Sequence, residues 1–303
     1  MNKIDVGLML PTIANPDTQT LDTRRVVDTA RQAEMAGFSG VYVGDHLLHP
    51  RPILESIVTL SIVAGATTRV KLGPCVLLIA LRQPLVLAKQ LGTLDAFAPG
   101  RVRVGVGVGG EYPGEFEVAG VPFAVRGRRM EAALAQLRSL LTGSIRHDEV
   151  TFAPTSPLPL FVGGWSDAAL RRAATYADGW IGYLLTVESF TKRRVALLER
   201  TADRAFSTGM LLPVHVDVGG KASDVAASAW AKLTAATEPL PDEYFVAGPV
   251  DHIVEHLTRY RDAGCDELVL APVDQGRGFA EQVELLAGEV LPRLRLASKR
   301  ETS

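Results

Sequence analysis

Residues 36–46 read Ala36-Gly37-Phe38-Ser39-Gly40-Val41-Tyr42-Val43-Gly44-Asp45-His46. Gly37 suits the left-handed residue that closes a helix, and Gly40–Gly44 has the length and character of a buried strand. Asp45 and His46 follow where the strand must give way to a loop. A helix end, a short apolar strand and a polar exit make up one α/β repeat. The same pattern returns along the chain, giving candidate strands at Ile4–Leu10, Gly40–Gly44, Val70–Leu78, Val102–Val108, Leu160–Gly163, Trp180–Tyr183, Leu211–Val218 and Glu267–Ala271. Near-continuous apolar strands of this kind suit a parallel sheet covered by helices.

Helical stripes lie between them. Val26, Ala30, Ala33 and Gly37 recur at i, i+4, i+7, i+11, as do Leu87, Leu91, Leu94 and Ala98. Met130, Leu134, Leu137 and Leu141 form a third stripe, and Ile253, Leu257, Tyr260 and Gly264 a fourth. Pro84 and Pro249 suit first helical positions, Ser166 an N-cap and Gly264 a helix end. Eight such units in 303 residues match an α/β fold of the (β/α)8 TIM-barrel type. An open doubly wound sheet usually stops at about five to seven strands. No linker divides the chain, so residues 1–303 read as one domain. Extra segments stand at Gly110–Val125 after strand four, at Ser144–Pro157, and at Thr237–Tyr244 after strand seven.

Composition narrows the function. Hydrophobic residues make up 47% of the chain, and 32 Lys and Arg against 34 Asp and Glu leave a net charge of -2. No basic block offers to gather a nucleic acid backbone. The longest strongly apolar stretch, Cys75–Leu81, falls far short of the roughly 20 residues that cross a bilayer. The amino terminus lacks the apolar core of a secretion signal, so a cytoplasmic protein is expected. Cys75 and Cys265 lie far apart in apolar segments and read as buried free thiols.

In a barrel, residues just after each strand face the catalytic end. That rule selects Asp45 and His46, Gly109 to Glu111, Gly163 to Ser166, and Asp274 with Arg277. In Val104-Gly105-Val106-Gly107-Val108-Gly109 the period of two sends valines to one face and glycines to the other. The glycines either clear the barrel mouth for a flat ring or simply relieve crowding. Gly163-Gly164 repeats the device, and a glycine turn entering a helix can hold an anion. His46 can exchange a proton near neutral pH. His252 and His256 read as a solvated helix face, and no metal site is expected. The insertion Glu111–Val125 carries Tyr112, Phe116, Val118, Val121 and Phe123, which either roof a hydrophobic small-molecule substrate or anchor the loop.

Assembled, these segments resemble the luciferase-like monooxygenase superfamily of flavin- and F420-dependent oxidoreductases. The resemblance rests on Ala36–His46, Gln83–Asp95, Gly100–Gly110, Arg126–Glu131, Val162–Gly164 and Ala177–Trp180. It implies a cofactor across the barrel mouth, its phosphate near Gly109, Gly163, Gly164 and the Ser166 hydroxyl. It implies that His46 meets the reacting part of cofactor or substrate, with Asp45 at one remove, anchoring the loop or fixing the imidazole tautomer. It also implies a cis peptide at Cys75–Val76, against which the ring rests. Bacterial luciferase has a phosphate-binding arginine where this chain has Val108, a departure that favours F420 over FMN. Many F420 relatives have an acidic residue where this chain has Gly110, and Glu111 is the replacement expected here. Relatives are commonly dimers through helices near strands two and three, which implies a homodimer. The expected function is therefore F420-dependent hydride transfer, with FMN-dependent monooxygenation as the alternative. A cofactor-binding protein without turnover is a further reading. A phosphosugar isomerase or aldolase would want a lysine at a strand end, and none is there.

Overall fold

The structure, a computed structural model, describes residues 4–142, 145–147, 150–152, 157–217, 244–276 and 278–300. Eight barrel positions are filled by β1 (Asp5–Met9), β2 (Gly40–Val43), β3 (Lys71–Pro74, then Leu77–Leu78 after a break), β4 (Val104–Gly107), β5 (Leu160–Gly163), β6 (Gly179–Tyr183), β7 (Ser207–Val216) and β8 (Glu267–Pro272). Every neighbouring pair is parallel, from β1 beside β2 round to β8 beside β1. The ring closes at the broken strand: Leu72 bridges to Val102, and Leu77 and Leu78 pair with Val106 and Gly107. Seven of the expected strands are met within about two residues, but β7 begins at Ser207, four residues before Leu211. Its first residues, Ser207-Thr208-Gly209, are small and polar, and partnership with β6 and β8 rather than hydrophobicity makes them a strand.

The expected helical stripes are buried apart from Gly37 and Gly264, which stand at helix ends. Leu87, Leu91, Leu94 and Ala98 line the inner face around helix Pro84–Phe97, and Met130, Leu134, Leu137 and Leu141 that of helix Arg126–Thr142. Pro84 opens its helix as expected, with the Gln83 side chain accepting from the Val86 N–H at 2.7 Å. Pro249 instead sits one place earlier, as the N-cap of helix Val250–Asp262. Gly37 and Gly264 close their helices at φ +86° and +85°. Of the extra segments, Gly110–Val125 contains the short helix Pro113–Val118, and in the second Ile145–His147 pairs antiparallel with Val150–Phe152. Thr237–Asp242, Glu243 and Arg277 lie outside the described residues. No described helix is long and apolar enough to cross a membrane.

Inside the ring a second apolar cluster forms from Tyr42, Cys75, Phe161, Ile181 and Val269, with Met9, Val76 and Leu211 packed on it. Here the glycine face of β4 finds its use. Val104 and Val106 point outward into the core beneath the helices, while a Cβ on Gly107 would lie 2.4 Å from Val76 Cγ2. A Cβ on Gly163 would lie 2.8 Å from Val76 Cγ1. The cleared space is thus filled by a side chain of the chain itself. Val76 follows the cis peptide Cys75–Val76, present as the resemblance implies. The amino end of the ring is closed by Glu267, which accepts from the Tyr42 hydroxyl and from Arg103 Nη1 at 2.8 Å. A 680 Å³ surface cavity lies beneath them.

Candidate functional site

The loop after β2 carries His46 and is tied down on both sides. Asp45, almost wholly buried, accepts from Ser56 Oγ at 2.8 Å, from the Leu78 N–H at 2.9 Å and from Arg82 Nη2 at 2.6 Å. These bonds join the end of β2 to the restart of β3 and to the loop before the third barrel helix. Asp45 therefore anchors the loop, one of the two tasks expected of it at one remove from the ring, and a different carboxylate holds the imidazole. Further along, Leu54 N donates to Thr12 O and Ala14 N to Pro52 O, pinning this loop to the one after β1.

The carboxylate that holds His46 is Glu115. Its Oε1 lies 3.2 Å from His46 Nδ1, and its Oε2 accepts from the Leu47 N–H at 3.1 Å. The Glu115 side chain is fully buried, on the first turn of helix Pro113–Val118. Glu111, half exposed, places Oε2 3.6 Å from His46 Nε2. Burial opposes charge on this ring, but the attraction of Glu111 and Glu115 outweighs it and pushes His46 up to about 9. Tyr112 packs edge-on against both His46 and His49, each at 5.0 Å between ring centres. Its hydroxyl lies 3.3 Å from His49 Nε2. Burial holds His49 below the usual histidine value and lifts the Tyr112 phenol to about 12.

Sequence reasoning singles out neither Glu115 nor His49, and it reads Tyr112 only as part of the insertion's apolar surface. Glu111 and Glu115 stand four apart across a helix start, a spacing that sets two carboxylates on one side, and that signal was available. The apolar residues of the same insertion act mainly as anchors. Phe116 and Val121 are buried, and Phe116 meets Phe123 edge to face at 5.4 Å. His215 is a fourth addition: it shares the inward face of β7 with Leu211, and its buried Nδ1 has no hydrogen-bond partner among the described residues.

The glycine turns stand at the same end of the strands. Gly109, at φ +67°, has Phe116 and Leu78 where a Cβ would go, and Gly164, at φ +121°, has Ala169. Trp180 Nε1 donates to Gly164 O at 2.7 Å, while the Gly164 N–H donates to Ile181 O at 3.0 Å. That amide is already engaged, so it does not supply the anion contact expected of it. Ser166 caps helix Asp167–Tyr176 by accepting from the Ala169 N–H at 3.2 Å. The first N–H groups of that helix precede the ones its cap satisfies. Arg126 adds a cation: a Cβ on Gly110 would lie 3.4 Å from its Nε, a buried donor without a hydrogen-bond partner among the described residues. Val108 packs against the outer core, and Cys75 is a buried thiol inside the ring. Among the described residues no cluster of His, Cys, Asp and Glu could hold a metal ion.

An orphan guanidinium nitrogen, a capped helix start and left-handed glycines at one rim fit an anionic group tethered to a ring. An F420-dependent glucose-6-phosphate dehydrogenase of Beutenbergia cavernae is 31% identical over 320 residues, covering 89% of this chain and 93% of that protein. An uncharacterized protein of Mycobacterium bovis is 35% identical over 185 residues, which are 51% of this chain and 64% of the relative's length. Among solved structures, an F420-dependent secondary alcohol dehydrogenase in complex with an F420-acetone adduct superposes with TM-score 0.77 at 18% identity, over 97% of this chain and 99% of that one. The monooxygenase RslO1 of Streptomyces bottropensis does so with TM-score 0.74 at 19% identity, over 95% and 99%. Both show a shared fold. Residues 4–264 match the family model described as luciferase-like monooxygenase, and with ring, rim and sequence in agreement, the chain belongs to that family.

Proposed function

We propose that the chain is an F420-dependent oxidoreductase that moves a hydride between the deazaflavin and a small organic substrate. The observation that carries this reading is His46, an imidazole set between two carboxylates at the carboxyl rim of the ring. Hydride transfer to or from a carbon bearing oxygen needs a partner that gives or takes a proton at that oxygen. F420, when bound, supplies the hydride; His46 Nε2 handles the proton, and half-exposed Glu111 passes it to water. Arg126 and the start of helix Asp167–Tyr176 would hold the phosphate of the bound cofactor, and Val76 would supply an apolar surface for its ring. The F420-dependent relatives covering most of the chain support this choice of cofactor.

FMN-dependent monooxygenation is the second reading, supported by monooxygenases of the same fold; Val108, in place of luciferase's arginine, weighs against it. Absorbance spectra separate the two. Bleaching or recovery of the deazaflavin band with a substrate supports the first; tight FMN retention with oxygen uptake supports the second. In the F420 reading, His46→Ala keeps the fold and cofactor affinity and lowers turnover by about 100- to 10,000-fold. A rate equal to wild type assigns His46 to the scaffold. The enzyme is further proposed to be a cytoplasmic homodimer. Exposed Val58 and Ile62 on helix Ser56–Ala66 and Leu85 and Val86 on the neighbouring helix Pro84–Phe97 supply an apolar face for that contact.

A further inference from the structure

The buried partner of His46 has a more specific task than closing a loop. Glu115 reaches Nδ1 with one oxygen at 3.2 Å, and its other oxygen, 3.4 Å from the same nitrogen, accepts from Leu47 N–H. With its side chain fully buried, this carboxylate has given up water for those two partners, and a buried carboxylate is stable only when donors replace its solvent. The imidazole can replace it only by presenting Nδ1–H. A proton fixed on Nδ1 by its hydrogen-bond partner leaves Nε2 as the nitrogen whose proton comes and goes. Nε2 points the other way, to Glu111, whose side chain is half exposed.

We propose that Glu115 is a positioning residue: it holds His46 by Nδ1–H, so that Nε2 is the only ring nitrogen that exchanges a proton at the barrel mouth, with Glu111 as its outlet to solvent. The inference rests on the reading of His46 as the proton-handling group. The two carboxylates differ in kind. Glu115 sets the tautomer and orientation, while Glu111 adds charge but little constraint on the ring, since its oxygen is 3.6 Å away and its side chain is half exposed. The other groups facing the ring are Tyr112, edge-on, and His49, tilted at 5.5 Å between ring centres, and both stay neutral near pH 7 because burial disfavours their charged forms. Arg51 lies behind His49, its backbone bonded to that ring. Tyr183 stands near Glu111, and burial keeps its phenol protonated.

The test uses protein without cofactor. Nitrogen-15 spectra of the histidine rings, with the His46 signals identified from their loss in His46→Gln, report both the titration and the tautomer. In wild type, His46 is expected to titrate near 9 and, above that, to keep its proton on Nδ1. Glu115→Gln should lower the titration by about 1 pH unit or more and move the neutral ring toward the Nε2–H form. Glu111→Gln should lower the titration and leave the Nδ1–H form in place. A Glu115→Gln protein with wild-type titration and tautomer overturns the proposal, as does a tautomer change in Glu111→Gln equal to that in Glu115→Gln. Should Glu115→Gln fail to fold, Glu115→Asp is measured instead: a carboxylate retracted by one methylene lowers the titration if the proposal holds, and a wild-type curve overturns it. Because the readout is a ring nitrogen in cofactor-free protein, it stands or falls apart from the F420 reading. A normal His46 titration with no F420 turnover would overturn that reading alone.

Discussion

At the scale of the residue, His46 links acidity to stability and to rate. An unfolded histidine titrates near about 6.5, whereas this ring is pushed up to about 9, with burial opposing and Glu111 and Glu115 prevailing. A folded-state value above the unfolded one contributes stability that is complete below about pH 6.5 and is lost as pH rises through about 9. Denaturant midpoints of wild type are therefore expected to fall between those limits, and His46→Gln should flatten that part of the curve. The rates carry the opposite halves of the same titration. On the proposed hydride transfer, reduction of a carbonyl would need the proton in place and should decline above about pH 9, while oxidation of an alcohol would need it absent and should climb toward the same value. Profiles in both directions check this. His46 itself was legible in the sequence, because a polar residue after a barrel strand is where the fold puts chemistry. Its true partner was not: Asp45 is adjacent in the chain, but adjacent residues of an extended segment point to opposite sides, and the side turned toward His46 belongs to Glu115, sixty-nine positions away.

At the scale of the element, β3, β4 and β5 form one interlocking unit. Val76 rises from the break in β3 into the hollows left by Gly107 and Gly163. The alternation of valine and glycine was plain in the sequence and gave the inward and outward faces of β4. What filled the inward hollow could not be read, because the filler comes from a different strand whose break has no periodic signal. Gly107→Ala would set its new methyl 2.4 Å from Val76 Cγ2, and overpacking of that kind costs about 1 to 3 kcal/mol. Val76→Ala should relieve much of it. The double mutant is therefore expected to be more stable than the sum of the single changes implies, and a denaturation cycle measures the difference. Additive effects would mean that the two side chains do not meet. The β7 start shows the converse case. There the residues are small and polar, and only the flanking strands, distant in sequence, decide that Ser207–Gly209 continue the sheet.

At the scale of the whole molecule, the ring has one end for chemistry and one for closure. Tyr42, Arg103 and Glu267 seal the amino end, and the guanidinium of Arg103 also lies over the Phe161 ring at 5.2 Å. Arg103→Leu would leave Glu267 buried without its cation, an uncompensated charge worth roughly 3 kcal/mol of lost stability. The same variant should leave the His46 titration and cofactor affinity at their wild-type values, because the seal and the rim are at opposite ends of the strands. Thermal denaturation and the histidine spectra together test that separation. At the other end, Asp45, the neighbour of His46 in the loop after β2, bonds to the Leu78 amide and to Arg82, where β3 resumes. The histidine is thereby geared to the broken strand: lengthening or shortening the chain between Pro74 and Leu77 would swing the imidazole against its two carboxylates and retune the acid without altering any residue that touches it.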